Sequence, residues 1–449
     1  MNFLLFARHN NNVEFLMFIP FLMLLKYIKV DRSIKVNPFL EKPMKLTDSF
    51  KDWKGIYPKP YNKNEVDPYT KTRIILMNGT EYEAVWFSHQ FSRHCPDNDL
   101  RRAIAVTRRL EQQQQKAISV LKPADESILE TTISYEQLAV DLTSELAKRE
   151  PNKDVKMALD FALLEDFDHL YRYSDLLEME QGIHAEHLVG HYAEIMPGRP
   201  TISEHRFPAD NIKKYVDFTT ADPITKLNVA IITAAEQQTM NYYMNIAGFY
   251  QSDIGRSLYQ EIGLIEEQHV TQYGALLDTR LTWLENLLNH EYTECYLYYS
   301  CYEDETDPHI KQIWEQHFYE EIAHLHQAAD LLKQYEKKEW QQVIPDGCFP
   351  RLLTLGSNKE YVREIIKSSV QLTSIKEDYM DISKVSQDAD FFKFQETLNH
   401  DVEAVPSHKV IVDKISKDKI DYRYEIEEHP IQELRDRASD NTSIGRKPI

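Results

Sequence analysis

The chain has 449 residues, 42% apolar and 28% charged, with a net charge of −20. This length and balance give a folded chain with a large core and room for two or three domains. The acidic balance argues against general nucleic-acid binding, which needs a basic face.

Only 12 glycines favour long helices over a sheet-and-turn fold. Cys95, Cys295, Cys301 and Cys348 are scattered with no C-x-x-C, which argues against a thiolate metal site and a disulfide framework. A reducing, cytoplasmic setting is the expectation.

In chain order, Phe15–Leu25 is an apolar run interrupted by Pro20 and ended by Lys26. It is too short to span a membrane, and no small-residue cleavage site follows. Residues 1–43 therefore read as an upstream extension, with the natural start at Met44. No other stretch could cross a bilayer. Residues 44–126 read as an irregular cover. Arg73–Met77, Asn78-Gly79 and Thr80–Phe87 suggest a β-hairpin. One helix follows over Asp99–Leu121, capped by Asn98 or Asp97 and stopped at Lys122-Pro123.

Residues 127–340 carry the main helical periodicity. The expected helices are Ser127–Lys148, Asn152–Leu188, Ile224–Tyr250, Asp253–Asp278, Thr282–Tyr302 and Pro308–Glu339, with a proline-rich loop over Pro197–Pro223. Asp307 caps the last, with Pro308 at its first position. Residues 341–449 form an appended segment, with short helices near Lys359–Ser369 and Asp388–His400 and a disordered end over Ala438–Ile449.

An internal echo runs through the middle region. Asp166–His169, Glu266–His269 and Glu321–His324 each place an acid three positions before a histidine, on one helix face. Glu136, Glu236 and Glu291 each lie 33 residues upstream of those histidines, and the leucine pairs 176–177, 276–277 and 331–332 follow them. With 17 histidines and 72 acids, chance alone supplies roughly three acid-x-x-His matches, so the weight rests on the shared register. Glu136 and Glu236 also sit on apolar stretches, where a buried carboxylate is costly unless paired or coordinated. Two such hairpins supply four carboxylates and two imidazoles, a donor set suited to two iron or manganese ions.

This order of Glu, acid-x-x-His, a long crossover, Glu and Glu-x-x-His resembles the ferritin-like di-iron carboxylate superfamily, including its rubrerythrin group. The resemblance covers about residues 127–338. It implies a mainly α fold: a ferritin-like four-helix bundle, here extended by an additional helical hairpin. It implies two Fe ions (or Mn/Fe) per chain that react with dioxygen or peroxide, held by Glu136, Asp166, His169, Glu236, Glu266 and His269. Asp166 departs from the usual glutamate, and its shorter reach unbalances the two metal positions. No rubredoxin-like cysteine cluster is present, so a separate electron donor is implied; a homodimer is compatible.

The third unit, with Glu291, Glu294, Glu321 and His324, reads as a core-completing copy, a second site, or the partner of the second unit in place of the first. Glu180, His184, His187 and His191 fall at i, i+4, i+7 and i+11, and read as an exposed polar face rather than a metal site. Tyr173 and Tyr273, four residues after two of the histidines, read as core. Against the enzyme stand two other readings: a metal store without turnover, and a helical scaffold that lost the metal site.

Overall fold

In the computed structural model, residues 36–199 and 203–419 are described. The apolar run at Phe15–Leu25 and the tail at Ala438–Ile449 lie outside them. The chain is mainly helical. Four helical hairpins follow one another: α1 (Pro68–His94) with α2 (Asn98–Ser119), α3 (Ile128–Arg149) with α4 (Lys153–Gln181), α6 (Pro223–Ala247) with α7 (Asp253–Gly274), and α8 (Trp283–Asp304) with α9 (Pro308–Glu336). A single turn, α5 (Ala185–Leu188), starts the long connection between α4 and α6. Among the described residues no helix is long and apolar enough to cross a membrane.

Local chemistry sets the helix ends. Asp67, Asp222 and Asp307 cap helices that begin on a proline, whose missing N–H costs nothing there. Ser127 with Glu130, and Thr282 with Glu285, form reciprocal capping boxes. Gly182 ends α4 in the left-handed region, at φ 67.

The β-hairpin expected at residues 73–87 is not there: the stretch lies inside α1. Asn78-Gly79 does not turn the chain. Instead α1 packs on α6 at Gly79, where a Cβ would meet Gln238 Oε1 at 2.8 Å and Gln238 Cβ at 3.0 Å. The missing side chain permits close helix approach. Helix α1 also shows no apolar stripe, because it is buried on several sides and carries polar groups inward. Arg73 pairs with Glu305 at 3.0 Å, and Lys71 with Glu126 at 3.3 Å.

The four hairpins combine in a nested order. Helices α3, α4, α6 and α7 pack as one group, and α1, α2, α8 and α9 as another. Contacts of α1 with α3 and α6, and of α6 with α8, join the two. The aliphatic and aromatic core runs through both groups.

In the later segment, Phe349 packs on Tyr292 and Tyr296 of α8, and the helices that follow lie against the first group. Helices α10 (Lys359–Ser369) and α12 (Pro406–Asp418) pack on α4, and α12 also packs on α7. Helix α11 (Asp390–Leu398) and a two-stranded ribbon, β1 (Leu372–Ile375) with β2 (Asp378–Asp381), complete it.

Asp141 of α3 ties three parts of the fold together. It accepts from Tyr69 Oη at 3.1 Å and from Asn358 Nδ2 at 3.3 Å. Burial pushes its carboxyl up to about 7, against partial opposition from those donors. A carboxyl whose folded pKa exceeds its unfolded value contributes stability below about pH 4 and loses that contribution as pH rises through 7. In chemical unfolding with EDTA, the stability of the wild type relative to Asp141→Asn should fall by on the order of 3 kcal/mol between pH 4 and pH 8. A pH-independent difference would contradict the assignment.

Candidate metal centre

The α3/α4 and α6/α7 hairpins bring the first two sequence units together. Donor atoms of Asp166, Glu236, Glu266 and His269 lie within 4.8 Å of one another, as do those of Glu136, His169 and Glu266. Glu266 belongs to both groups. Every one of these residues is at most 2% exposed. The pairing of the second unit with the third, weighed above, does not occur: Glu291, Glu294, Glu321 and His324 lie in the other helix group, away from Glu236. Asp166 converges with the His269 group and not with His169, as its short side chain dictates.

The imidazoles are oriented from behind. His269 Nε2 faces Glu165 Oε2 at 2.7 Å, so its Nδ1 points to Asp166 Oδ1 at 3.2 Å, Glu266 Oε2 at 3.4 Å and Glu236 Oε2 at 3.6 Å. His169 Nε2 faces Glu204 Oε2 at 3.2 Å, and its Nδ1 faces Glu266 Oε1 at 3.0 Å. A carboxylate behind each ring fixes the tautomer and leaves the other nitrogen for the cluster.

Glu165 is therefore a support for His269. Its other oxygen accepts from Arg199 at 2.8 Å and from Arg206. Burial opposes its charge, but Arg206, His269 and Arg199 outweigh burial and hold the carboxyl well below its ordinary range.

The connection between α4 and α6 thus delivers three interior groups: Arg199, Glu204 and Arg206, each at most 1% exposed. As sequence, this proline-rich stretch reads as a crossover alone. Nothing in its composition marks Glu204, because no periodic face places it. Tyr243 of α6 donates to Glu136 Oε1 at 2.5 Å. Tyr173 is core, packed on Tyr243 and Tyr259 with ring centroids 5.2 and 4.8 Å away. Tyr273 is buried near His269, with centroids 6.4 Å apart and a hydroxyl that lacks a hydrogen-bond partner.

The donor set is short of hydrogen bonds. Both oxygens of Asp166 and of Glu236, Glu136 Oε2, Glu266 Oε2 and His269 Nδ1 are buried with no hydrogen-bond partner. The His269–Asp166 approach is a charge contact without hydrogen-bond alignment. Burial, then neighbouring carboxylates, pushes Glu236 well above the ordinary carboxylate range. Burial also pushes Glu136 up, against the pull of His169. Burial lowers both imidazoles, but Glu204 and Glu266 raise His169, and Asp166 and Glu165 raise His269, to a net rise in each. The interior thus calls for positive charge, supplied by protons when no other cation is bound. Oxygen and imidazole donors around a shared carboxylate fit a pair of iron or manganese ions.

The expected helical row Glu180, His184, His187 and His191 is broken at Gly182. Glu180 accepts from Tyr250 Oη at 2.5 Å and from Ser252. These residues form no convergent donor group among the described residues. No thiolate cluster occurs there either. The chain matches no protein-family model, no curated protein and no solved structure.

Replacing Arg206 with methionine strips the buried Glu165 of one of its two guanidinium partners. Such a loss costs about 3 kcal/mol. Urea unfolding of Arg206→Met should show a loss of that order, and Arg206→Met combined with Glu165→Gln should recover part of it. A double variant no more stable than the single would contradict the pairing.

Proposed function

We propose that this chain is a ferritin-like protein whose α3/α4 and α6/α7 hairpins hold a dinuclear iron or manganese centre for oxidoreductase chemistry with dioxygen or peroxide. One observation carries the reading: two imidazoles and four carboxylates from four helices converge, buried and largely without hydrogen bonds, around the shared Glu266. Satisfied polar residues in a metal-free scaffold would pair with one another instead. The chemistry such a metal pair supplies when bound is electron transfer to dioxygen or peroxide.

The chain's own residues have separable tasks. His269, Asp166 and Glu236 would hold one ion, His169 and Glu136 the other, with Glu266 between them. Glu165 and Glu204 keep the imidazole nitrogens aimed inward. Arg199 and Arg206 keep Glu165 charged, so His269 stays a good donor. Tyr243 occupies one oxygen of Glu136 and leaves the other free to bind. The tyrosine and aliphatic packing keeps bulk water away. Electrons would come from a separate donor.

Metal analysis of the purified chain tests the reading. About two ions per chain should be lost from this centre in the Glu236→Ala/His269→Ala double variant. Retention of all metal by that variant would overturn the assignment. Oxygen or peroxide consumption by the Fe(II)-loaded chain then separates catalysis from storage. Because the imidazoles and buried carboxyls hold protons when metal is absent, loading should release protons and affinity should rise with pH. Titration calorimetry in buffers of different ionisation enthalpy measures this directly.

A further inference from the structure

The second helix group encloses a comparable cluster. Donor atoms of Glu111, Glu291, Glu321 and His324 lie within 4.8 Å of one another, and so do those of Glu81, Glu111 and Glu294. Here Glu111 is the residue common to both groups. All six are buried, at no more than 3% exposure. His324 Nδ1 lies 3.0 Å from Glu111 Oε1 and 3.1 Å from Glu321 Oε2.

Two independent observations lift this above a collection of acids. The first is a set of unpartnered donors aimed into the cluster. Neither oxygen of Glu294 has a hydrogen-bond partner, nor do Glu81 Oε2, Glu111 Oε2 and Glu291 Oε2. His290 Nε2 approaches Glu294 no closer than 3.8 Å. Within the cluster five carboxylates face His324, with His290 at its edge, and no Lys or Arg nitrogen forms an ion pair with any of the five among the described residues.

The second observation is register. Glu81, Glu111 and Gln114 precede Glu136, Asp166 and His169 by 55 positions, while Glu291, Tyr298, Glu321 and His324 follow Glu236, Tyr243, Glu266 and His269 by the same 55. Even the outer hydrogen bond repeats: Tyr298 donates to Glu81 as Tyr243 does to Glu136. The outer hairpins thus copy the inner pair.

The copy differs at one ion position. Gln114 stands where His169 stands in the first cluster, and it donates to Glu321 Oε1 at 2.5 Å while its own Oε1 is buried without a partner. Glu294 adds a carboxylate at the place of Thr239. Glu81, Glu111 and Glu294 therefore offer oxygen only, whereas the position at His324 keeps a nitrogen. Oxygen-only donors suit harder cations such as Mn(II) or Mg(II), and an imidazole suits Fe(II) or Zn(II). A narrow cavity reaches the nitrogen-bearing side, lined by Phe87, Ile104, Glu111, Leu287, Glu291 and His324.

We infer that hairpins α1/α2 and α8/α9 hold a second dinuclear divalent-cation site, made of one nitrogen-bearing position and one oxygen-only position. It stands apart from the first centre and can fail or hold independently of it.

The test is anaerobic equilibrium dialysis of the metal-stripped full chain against Mn(II), with bound metal counted at saturation. The wild type should bind about four ions, Glu236→Ala/His269→Ala about two, and Glu291→Ala/His324→Ala about two. Saturation of the wild type at two ions, with Glu291→Ala/His324→Ala also at two, overturns the second site and leaves the first. Loss of two ions only in the Glu291→Ala/His324→Ala variant upholds the second site even where the first reading fails.

The wild-type count needs no variant to fold. As a further arm, Glu294→Gln keeps the side chain's shape and should remove one ion. Gln114→His should raise affinity for Fe(II) over Mn(II) at that position by about tenfold or more. An unchanged metal count in Glu294→Gln, or unchanged preference in Gln114→His, would count against the oxygen-only position.

Discussion

Carboxylates taken out of water set the terms for this protein. Glu136, Asp166, Glu236 and Glu266 in one helix group, and Glu81, Glu111, Glu291, Glu294 and Glu321 in the other, are almost wholly inaccessible. A buried carboxylate must be paired, protonated or coordinated, since leaving it charged and alone costs several kcal/mol at least. The fold answers differently at different places. At Glu165 it supplies Arg199 and Arg206 from the α4–α6 connection. At the two clusters the cations it supplies are imidazoles, and several oxygens are left turned toward one another without a hydrogen bond. Arginines neutralise a structural carboxylate permanently; an acidic pocket left with few fixed cations can exchange protons for other cations.

That contrast explains the architecture of the first cluster. Glu165 and Asp166 are neighbours in sequence and lie on different sides of the same imidazole. One faces guanidinium groups and carries a settled charge. The other faces Glu236 and Glu266 and does not. His269 lies between them, with Nε2 on the settled side and Nδ1 on the open one. The long connection is therefore part of the site: it carries Glu204, which faces His169 Nε2, and Arg199 and Arg206, which pair with Glu165.

The helices of residues 127–340 were legible because caps, prolines and apolar spacing agree with one another there. Asp307-Pro308, Ser127 with Glu130, and the stripe through Val155, Ala158 and Leu159 each carry a local signal that the tertiary fold keeps. Helix α1 was illegible for the opposite reason. Its buried side carries Lys71, Arg73 and Glu81 while its exposed side carries Tyr82 and Trp86, so no apolar stripe stands out, and its Asn-Gly pair reproduces a turn signature while Gly79 serves helix contact with Gln238. The echo placed Glu136, Asp166, His169, Glu236, Glu266 and His269 correctly on helices, and the structure brings them together. Glu81 and Glu111 escaped because Gln114 breaks the acid-x-x-His pattern, although Glu81 keeps the same 33-residue interval to Gln114. Glu204 left no signal at all, since loop residues are placed by tertiary contacts rather than by period.

The two clusters show how one register can be tuned by single side chains. Asp166 is too short to reach the His169 side, so Glu266 joins both donor groups in the first cluster. Glu111, one methylene longer at the equivalent place, takes that role in the second. Replacing an imidazole with Gln114 removes a nitrogen donor, and Glu294 brings a carboxylate to the same neighbourhood. The result is a more negative, harder donor set on an unchanged scaffold. Pairing the first hairpin with the last and the second with the third lets contacts among α1, α3, α6 and α8 join the two groups. Their shared packing makes the position of each cluster depend on the other's helices. No residue belongs to both clusters, so each donor set is complete within its own helix group.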